Sequence, residues 1–593
     1  MLAIAAALAA DPGLRLVDGP RPAAYAIELT IDPAETRFSG REVIRWDLDA
    51  PTRVVWLNSR GLDLTAVTVD GTPARFRASG EWLRIDLPAR AQRFATELTW
   101  SGPIDMVATQ GVFAQVVEQD RYVFSQFEAT DARAAFPGLD QPDVKTPFDL
   151  TLRVPDGTGA FANTPVATEE DEPGPMRRVH FLPTRPLPTY LLAFAVGPFE
   201  VVDAGTAGRG NTPIRIVVPR GRSGWAGEAT RRTGQALEAL ERYFDQPYPY
   251  PKLDVVTIPV TVGFGAMENP GLITCAQQIL LARPEDDTLA RRREYASVIA
   301  HELAHQWFGD LVTLGWWEDL WLNESFASWM GDRVLAELEP GWHMDVSSVG
   351  GREYAMGLDG LPSSRQIREP ITTFADIESA FDGITYAKGQ AVLGMFEAWL
   401  GADVFRAGVR SYLTAHADGT GTTEDFIAAI SSAAQRDISG PFRSFLDQPG
   451  VPAVRVQVDG SALVLEQQRF LPPGVRGAPG HWEIPVCVRW RGSNPTCTLL
   501  TEARQRWEIP GLDPASLVPD AGATGYWRPR LDEAQVTALL AKDSDLTLPE
   551  GAKLLVTLLP EDDRDFWMEA SQKSLAEIWD NPEDDGYAKL LEK

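Results

Sequence analysis

The feature that most constrains this chain is the spacing of its apolar residues, which changes twice along the sequence. Over residues 25–198 apolar and polar side chains alternate, and residues 148–154 show this most clearly. Over residues 224–446 the apolar residues recur at helical intervals, with residues 230–244 as the clearest amphipathic segment. Alternation returns over residues 450–527. Because strands and helices present their buried faces at different intervals, this order predicts a β domain, a helical domain and a second β domain.

We therefore predict a multidomain α+β protein, because a chain of 593 residues is too long to fold around one hydrophobic core. We expect an N-terminal antiparallel β domain, a mostly helical central domain, a small β-sandwich and a short acidic helical tail. With a signal or N-terminal extension placed first, the expected bounds are 1–22, 23–202, 203–448, 449–530 and 531–593.

The charge balance excludes one class of partner. The chain has 83 acidic and 55 basic residues, which gives a formal net charge of -28. Proteins that bind nucleic acid need a basic surface, so we expect no nucleic-acid partner. The acidic surplus indicates a solubilising surface, and an acidic field that attracts cationic substrates is the alternative. No apolar run reaches the ~18 residues that span a bilayer, so we expect no transmembrane span.

The first ten residues, MLAIAAALAA, are apolar and rich in alanine. They resemble the apolar half of a secretory signal, but the basic residues that normally precede such a segment are missing. An ordinary helical extension is the alternative. We expect an exported or periplasmic location ahead of a cytoplasmic one.

Two of the three cysteines, Cys487 and Cys497, flank a turn-like segment at residues 491–495 between two apolar runs. A hairpin could bring them together, and a disulfide there would indicate an oxidising compartment. Two unpaired thiols are equally compatible with the sequence. We interpret Cys275, which has no base beside it, as a packing residue.

A short motif in the helical domain predicts a metal site. His301 and His305 are four residues apart, so on a helix they project from one face, one turn apart. Imidazoles placed in this way can bind one Zn²⁺ at about 2.0–2.1 Å. Glu302, beside the first histidine, can reach a water at the metal without binding the metal itself. With only six histidines in the chain, a chance match to this motif is improbable, about one in a few hundred.

A catalytic zinc needs a third protein ligand, and Glu324 is the candidate. Eighteen residues lie between His305 and Glu324, which leaves room for the first helix to end and a second helix to return. Glu318, Asp319 and Asp332 are candidates to orient a ligand imidazole, although each is more typical of a solvated helix residue.

Residues 265–269, with the sequence Gly-Ala-Met-Glu-Asn, lie upstream of the histidines. Together with the histidine motif they make the chain resemble the gluzincin metallopeptidases typified by aminopeptidase N, a family that includes leukotriene hydrolase. The resemblance covers residues 25–527 and implies a thermolysin-like catalytic domain. It also implies that Gly265, Ala266, Met267, Glu268 and Asn269 form a strand edge beside the metal, where the Glu268 carboxylate binds the α-amine of the substrate.

Two further segments carry the same resemblance. Residues 125–133 resemble the family segment whose glutamate, here Glu128, is a second amine anchor and whose glutamine, here Gln126, lies near the first side-chain pocket. Residues 381–389 resemble the segment that supplies the catalytic tyrosine, here Tyr386. Without the resemblance, Tyr386 would be interpreted as a half-buried packing residue.

The resemblance implies a zinc-dependent aminopeptidase with one Zn²⁺ per chain, whose substrates are peptides with a free amino terminus. Glu302 is expected to act as the general base and Tyr386 as the donor to the oxyanion. The alternatives are an epoxide hydrolase or a zinc endopeptidase on the same scaffold, and an inactive peptide-binding module.

The chain also departs from the family pattern. Ser325 replaces the usual glycine after the third ligand, Ser-Arg-Gln at residues 364–366 stands where Ser-His-Pro is common, and Asp-Gln-Pro at residues 140–142 stands for Asp-Glu-Pro. Residues 531–593 do not resemble the long helical domain that closes the cavity of larger relatives, so we expect a more open cleft. The acidic tail is a candidate binding segment for an unidentified partner.

Overall fold

The computed structural model describes residues 12–17, 19–472 and 474–531. The described chain divides into two compact units: residues 12–356, 365–449 and 523–526 form the first, and residues 357–364, 450–522 and 527–531 form the second. Most of the predicted N-terminal extension and most of the predicted acidic tail lie outside the described residues. The prediction that the tail binds an unidentified partner therefore also falls outside them.

The N-terminal region is built from thirteen strands, and its alternation has the expected consequence in β1, where Tyr25, Ile27 and Leu29 are buried and the residues between them are more exposed. The strands are β1 (Pro22–Thr30), β2 (Arg37–Asn58), β3 (Asp63–Val69), β4 (Thr72–Pro73), β5 (Arg75–Ser79), β6 (Trp82–Pro103), β7 (Gly111–Val117), β8 (Asp120–Gln126), β9 (Phe148–Pro155), β10 (Gly159–Ala162), β11 (Val166–Asp171), β12 (Met176–Phe181) and β13 (Phe194–Gly197).

These strands form two sheets. The larger sheet has the order β11-β12-β9-β1-β2-β6-β3-β4, with β5 paired to β6, and the smaller has the order β10-β13-β8-β7. The prediction of an antiparallel domain is wrong for one pairing, because β1 and β9 run parallel. More than a hundred residues separate these two strands, and a connection of that length lets the second strand enter in either direction.

A mixed five-stranded sheet follows, with the order β14-β15-β16-β18-β17. The predicted domain boundary between residues 202 and 203 falls inside β14, which pairs with β15 in this sheet. The alternation of apolar residues does not indicate which sheet a strand joins, so it cannot place the domain boundary. The strands are β14 (Phe199–Ala207), β15 (Thr212–Pro219), β16 (Leu253–Ile258), β17 (Ala266–Met267) and β18 (Leu272–Ala276).

Helices dominate the rest of the first unit, with a short parallel pair of strands, β19 (Thr313–Leu314) and β20 (Thr420–Gly421). No helix in the described residues is long and apolar enough to cross a bilayer. The α-helices are α1 (Gly227–Phe244), α2 (Gln277–Leu280), α3 (Leu289–His305), α4 (Trp321–Leu338), α5 (Met344–Asp359), α6 (Phe374–Ser379), α7 (Gly389–Leu400), α8 (Ala402–His416), α9 (Thr423–Ala434) and α10 (Ser439–Leu446), and a π-helical turn spans Ile384–Lys388. Over all the described residues, in both units, the 3₁₀ turns are Ala132–Ala134, Thr189–Leu191, Ser223–Trp225, Pro284–Asp286, Trp317–Asp319, Pro340–Trp342, Pro514–Ser516 and Ala521–Ala523.

One hydrophobic cluster joins the four-stranded sheet to the five-stranded sheet. Each fully buried large side chain in such a cluster contributes roughly 1.5–3 kcal/mol relative to exposure. The cluster therefore holds β8, which leads to Gln126, against the sheet that ends in β17. Its larger members are Phe113, Tyr122, Phe124, Phe161, Val217, Val256, Ile258 and Leu272.

The second unit contains a four-stranded sheet with the order β25-β22-β21-β26 and a separate hairpin of β23 and β24. Cys487 and Cys497 face each other across this hairpin and form a disulfide. These are the strands expected of a small β-sandwich, an arrangement that stays a prediction. The strands are β21 (Pro452–Asp459), β22 (Ala462–Arg469), β23 (Ile484–Val488), β24 (Thr496–Leu500), β25 (Arg504–Glu508) and β26 (Arg528–Arg530).

Gly271 lies where the chain turns between β17 and β18, and two independent constraints act on it. Its φ of +70° is in the left-handed region, and an added Cβ would lie 2.3 Å from the backbone oxygen of Asn163. That oxygen belongs to the backbone and cannot swing aside. Only glycine fits this position without displacing the turn that carries the predicted amine anchor.

We expect Gly271→Ala to lower the melting temperature by about 2–5 °C, because it adds overpacking to the cost of a left-handed backbone. Gly157→Ala is the matched control, since Gly157 has a φ of +75° with open space around its Cα. Scanning calorimetry of both variants separates the two costs. Equal shifts would show that the contact with Asn163 imposes no constraint.

Candidate metal and substrate site

The two predicted histidine ligands occupy the last turn of α3. Thr288 caps the start of this helix by accepting a hydrogen bond from the backbone of Arg291, and the helix ends at His305. The Nε2 atoms of His301 and His305 point at each other across 3.0 Å. The spacing of four residues thus places both imidazoles on one face, as predicted.

The third predicted ligand, Glu324, comes from the first turn of α4. Its Oε2 atom lies 3.3 Å from His301 Nε2 and 3.6 Å from His305 Nε2. Ligands about 2.0–2.1 Å from a tetrahedral zinc are ~3.4 Å from one another, so these three atoms match the edge lengths of one face of such a site. The donor set of two imidazoles and one carboxylate therefore fits a catalytic zinc with one position open.

An aromatic stack holds the two ligand-bearing segments together. Phe308, shortly after the last histidine, and Phe326, shortly after the glutamate, stack with ring centroids 3.5 Å apart and planes 10° apart. Both rings are buried. Because each ring is so close in sequence to a ligand, the stack fixes the end of α3 against the start of α4.

Backbone and hydroxyl groups orient the imidazoles. His305 Nδ1 lies 3.0 Å from the carbonyl oxygen of Phe308, and His301 Nδ1 lies 3.3 Å from Ser328 Oγ. A carbonyl can only accept, so the contact to Phe308 assigns the proton of His305 to Nδ1 and leaves Nε2 free to bind a metal.

Among the described residues, none of the candidates Glu318, Asp319 and Asp332 makes a hydrogen bond to either imidazole. Arg368 pairs with Glu318 at 3.4 Å and with Asp319 at 2.7 Å. Asp332 accepts hydrogen bonds from the side chains of Ser348 at 2.9 Å and Gln390 at 2.7 Å.

Glu302 is buried beside the three ligand atoms without being one of them. Burial is the main cause that raises the pKa of its carboxyl well above the usual value, and the charges of Glu268 and Glu324 add to it. A carboxyl with a raised pKa accepts a proton more readily near neutral pH.

Three carboxylates converge next to the ligands. One oxygen from each of Glu128, Glu268 and Glu324 lies within 4.8 Å of the other two. The Oε1 atoms of Glu128 and Glu268 are buried and have no hydrogen-bond partner among the described residues. Burial first, and then repulsion from neighbouring carboxylates, raises the pKa of both groups. Buried acceptors without donors are the arrangement that a desolvated cation would satisfy.

The pKa shifts of the predicted metal ligands also indicate a site that favours positive charge. Burial alone would lower the pKa of His305, but the charges of Glu268 and Glu324 raise it well above the usual value. Burial alone would raise the pKa of Glu324, but the two imidazoles lower it. For His301 burial dominates and lowers the pKa. The pocket thus favours positive charge at the point where the three ligand atoms meet.

Gln306, which the sequence analysis did not single out, connects the metal helix to the amine-anchor turn. Its Nε2 donates to the carbonyl oxygen of Glu268 at 2.5 Å, and its Oε1 accepts from the backbone N–H of Gly271 at 3.3 Å and from Tyr248 Oη at 2.9 Å. The side chain is completely buried. In the sequence, a polar amide directly after the second histidine, among apolar residues, was the signal that could have identified Gln306.

The predicted strand edge is present as β17. Gly265 accepts a hydrogen bond from the backbone of Ala276 at 2.8 Å, and Ala266 pairs with Cys275. Met267 is buried, and its Sδ lies 3.4 Å from Nε2 of Gln126. The strand therefore ends immediately before Glu268.

Tyr386 lies on the π-helical turn Ile384–Lys388. Its ring is 6.2 Å from that of His301, with the two planes 20° apart. Burial first, and then the negative charge of Glu324, raises the pKa of the phenol well above its usual value. The hydroxyl therefore keeps its proton and can act as a hydrogen-bond donor.

A cavity of about 950 Å³ brings these residues together. Met267 and Asn269, both predicted site residues, are buried behind its wall and do not line it. The predicted residues that line it are Gln126, Glu128, Gly265, Ala266, Glu268, His301, Glu302, His305, Glu324 and Tyr386. Apolar side chains that the sequence analysis did not identify line it as well, namely Phe264, Phe374, Ile377 and Phe381.

Two family profiles match this chain. The Peptidase M1 N-terminal domain matches residues 21–191, and the Peptidase family M1 domain matches residues 228–445. The second match contains the three ligand residues and Tyr386. Together the two matches cover more than half of the chain.

Several aminopeptidases are similar to the chain over most of its length. Aminopeptidase M1-B of Oryza sativa subsp. japonica is 33% identical over 480 residues, which are 78% of this chain and 54% of that protein. Leucyl aminopeptidase of Saccharolobus solfataricus is 32% identical over 512 residues, which are 85% of this chain and 63% of that protein. Probable aminopeptidase 2 of Sulfurisphaera tokodaii is 32% identical over 507 residues, which are 85% of this chain and 63% of that protein. The chain thus spans between half and two thirds of the length of these curated relatives.

We expect the purified protein to hold one transition metal per chain, and His301→Ala to lose most of it on dialysis because two donors cannot hold the ion tightly. The measurement is elemental analysis by mass spectrometry. His180→Ala is the control, since it removes an imidazole that pairs with Asp149 outside the cavity. Equal metal content in both variants would rule out the three-ligand site.

Proposed function

The chain belongs to peptidase family M1, the aminopeptidase N-like zinc metallopeptidases, and we propose that it is itself a zinc-dependent aminopeptidase. It would hydrolyse the first peptide bond of peptides with a free amino terminus. The observation that carries this proposal is the pair of buried, unpartnered oxygens on Glu128 and Glu268, next to the His301–His305–Glu324 set.

The amine anchor explains why cleavage would occur at the chain end. An ammonium group that leaves water needs nearby negative charge, since burying it without compensation costs several kcal/mol. Glu128 and Glu268 supply that charge and two hydrogen-bond acceptors. With the amine held there, the first carbonyl of the substrate is the one that reaches the ligand set, so one residue is removed per turnover.

His301, His305 and Glu324 would hold the zinc. Bound zinc supplies Lewis acidity, which polarises the scissile carbonyl and makes the attacking water more acidic. The carboxylate of Glu302 accepts a proton from the attacking water and later donates it to the leaving amine. Burial raises the pKa of Glu302, which strengthens its carboxylate as a proton acceptor.

Tyr386 would stabilise the oxyanion that forms as the carbonyl is attacked. Its hydroxyl stays protonated, so it donates a hydrogen bond when negative charge develops on the carbonyl oxygen. Donors of this kind typically contribute 10²–10³ in kcat, or roughly 3–4 kcal/mol. Gln126, Gly265 and Ala266 would form part of the wall around the first side chain of the substrate, with Met267 packed behind Gln126.

The domain assignment completes the proposal. We place the end of the N-terminal domain before β14, because that strand pairs within the five-stranded sheet, and we assign residues up to 448 to a thermolysin-like catalytic domain. Residues 449–530 would form the small β-sandwich. An epoxide hydrolase, an endopeptidase and a peptide-binding module remain as outcomes of the first experiment below.

We expect the purified protein to cleave aminoacyl fluorogenic amides, to lose this activity with a chelator and to regain it with zinc. The acetylated form of the best substrate should resist cleavage, because acetylation removes the charge that Glu128 and Glu268 would bind. Cleavage of the acetylated amide would identify an endopeptidase. A protein that holds metal and cleaves no amide would contradict the proposal and favour the binding module or a different substrate.

Two variants should separate the base from the oxyanion donor. Glu302→Gln is expected to keep its metal and lose about 10³-fold or more in kcat, because the amide that replaces the carboxylate cannot accept the proton. Tyr386→Phe is expected to lose about 10²-fold in kcat with little change in KM, the signature of an interaction made in the transition state. Steady-state kinetics and metal analysis provide the readouts. A rise in KM alone for Tyr386→Phe would assign the hydroxyl to substrate binding instead.

A further inference from the structure

Arg365 makes a fork of hydrogen bonds to the segment that leads into the π-helical turn of Tyr386. Its Nε donates to Asp382 Oδ2 at 3.0 Å, and its Nη2 donates to Asp382 Oδ1 at 2.5 Å. The same Nη2 donates to Thr385 Oγ1 at 2.7 Å and to the carbonyl oxygen of Ala380 at 3.0 Å. Three residues on one side of Tyr386 are therefore bound to a single planar group.

Asp382 transmits this contact to the backbone of the turn. Its Oδ1 accepts hydrogen bonds from the backbone N–H groups of Ile384 at 2.9 Å and Thr385 at 3.1 Å. Its carbonyl oxygen accepts from the backbone N–H of Tyr386 at 3.0 Å. The carboxylate thus satisfies the first two backbone N–H groups of the turn, and Arg365 fixes the carboxylate.

Ser325 holds the same turn from the side of the metal ligands. Its Oγ donates to the carbonyl oxygen of Thr385 at 2.5 Å, and it directly follows Glu324 in the chain. Gly389 leaves room for this hydroxyl, since a Cβ there would lie 1.9 Å from it. The turn is therefore fixed between Arg365 and a residue adjacent to a ligand.

We propose that Arg365 is a positioning residue, which sets the location of the Tyr386 hydroxyl over the ligand set through Asp382 and Thr385. The inference rests on the proposed role of Tyr386 as the oxyanion donor. Both Arg365 and Ser325 stand at positions where this chain departs from the pattern of the family that it resembles. A displacement of about 1 Å at a catalytic group can cost up to 10²-fold in rate, which is the size of effect that such a support controls.

The geometry requires an arginine. A guanidinium binds both oxygens of a carboxylate in parallel and still has donors for neighbouring acceptors. A lysine presents one ammonium on a flexible stem and cannot reach Asp382, Thr385 and Ala380 in the same arrangement. Arg365→Lys therefore keeps the charge and removes the fork.

A double-mutant cycle tests the proposal with wild type, Arg365→Ala, Tyr386→Phe and the double variant. We expect Arg365→Ala to lower kcat about 10-fold with KM within about twofold, and Tyr386→Phe to lower it about 10²-fold. In the Tyr386→Phe background the arginine substitution should change kcat by less than about twofold, since the hydroxyl that it positions is already absent.

Arg365→Lys should lower kcat about as much as Arg365→Ala does. Full activity of the lysine variant would contradict the claim that the forked hydrogen bonds of the arginine are required. Two losses in kcat that multiply across the cycle would overturn the coupling to Tyr386. Wild-type kcat in Tyr386→Phe would remove the oxyanion role and this inference together, which distinguishes that failure from the previous one. Metal content is measured for every variant.

Two further variants complete the design. Arg185→Ala is the matched control, because Arg185 makes a two-bond pair with Asp418 at 2.8 and 2.6 Å outside the cavity, and we expect wild-type kcat. If Arg365→Ala fails to fold, Thr385→Val takes its place in the cycle. It removes only the hydroxyl that accepts from Arg365, and we expect a loss of about threefold that vanishes in the Tyr386→Phe background. A loss that persists there would contradict the proposal.

Discussion

The structure depends on the burial of negative charge around two imidazoles. Glu128, Glu268, Glu302 and Glu324 share one cavity, and the one arginine among its described lining residues, Arg60, is already paired with Glu81 and Asp131. Each uncompensated carboxylate in such a place costs several kcal/mol, so the site is stable only with protons or bound cations to balance it. The same excess of acceptors that makes the site costly is what the proposed zinc and the proposed substrate ammonium would satisfy.

Apolar packing holds this charge in place. The cluster between the four-stranded and five-stranded sheets fixes the segments that lead to Gln126 and Glu268, and the stack of Phe308 on Phe326 fixes the ligands. Because the rings lie within three residues of the ligands they hold, small changes in packing would reach the metal donors directly. The polar site is therefore as rigid as the hydrophobic core behind it.

The sequence predicted those parts of the site whose geometry is local. His301 and His305 could be placed because helix periodicity alone puts them on one face, and Glu324 followed from the ligand count. The partners of the imidazoles could not, since the Phe308 carbonyl carries no signature in the sequence. The contacts of Arg365 and the parallel pairing of β1 with β9 were equally hidden, because each depends on a contact between segments that are distant in sequence. Gln306 had only a weak signal, an amide within an apolar run. The alternation of apolar residues likewise predicted strands correctly but not the sheet that β14 joins.

The amide of Gln306 has a consequence for how such an enzyme could diversify. It ties the turn of Glu268 to the helix of His305, so the distance from the amine anchor to the metal ligands cannot change without breaking hydrogen bonds inside the protein. In the proposed enzyme, that distance would determine which peptide bond of the substrate reaches the metal ligands. The apolar part of the cavity wall, by contrast, contains Phe264, Phe374 and Phe381, and none of these side chains makes the hydrogen bonds of Gln306. In the proposed enzyme, the position of cleavage and the preference for one side chain over another would therefore be set by separate parts of the molecule, and the preference could change while the position stays fixed.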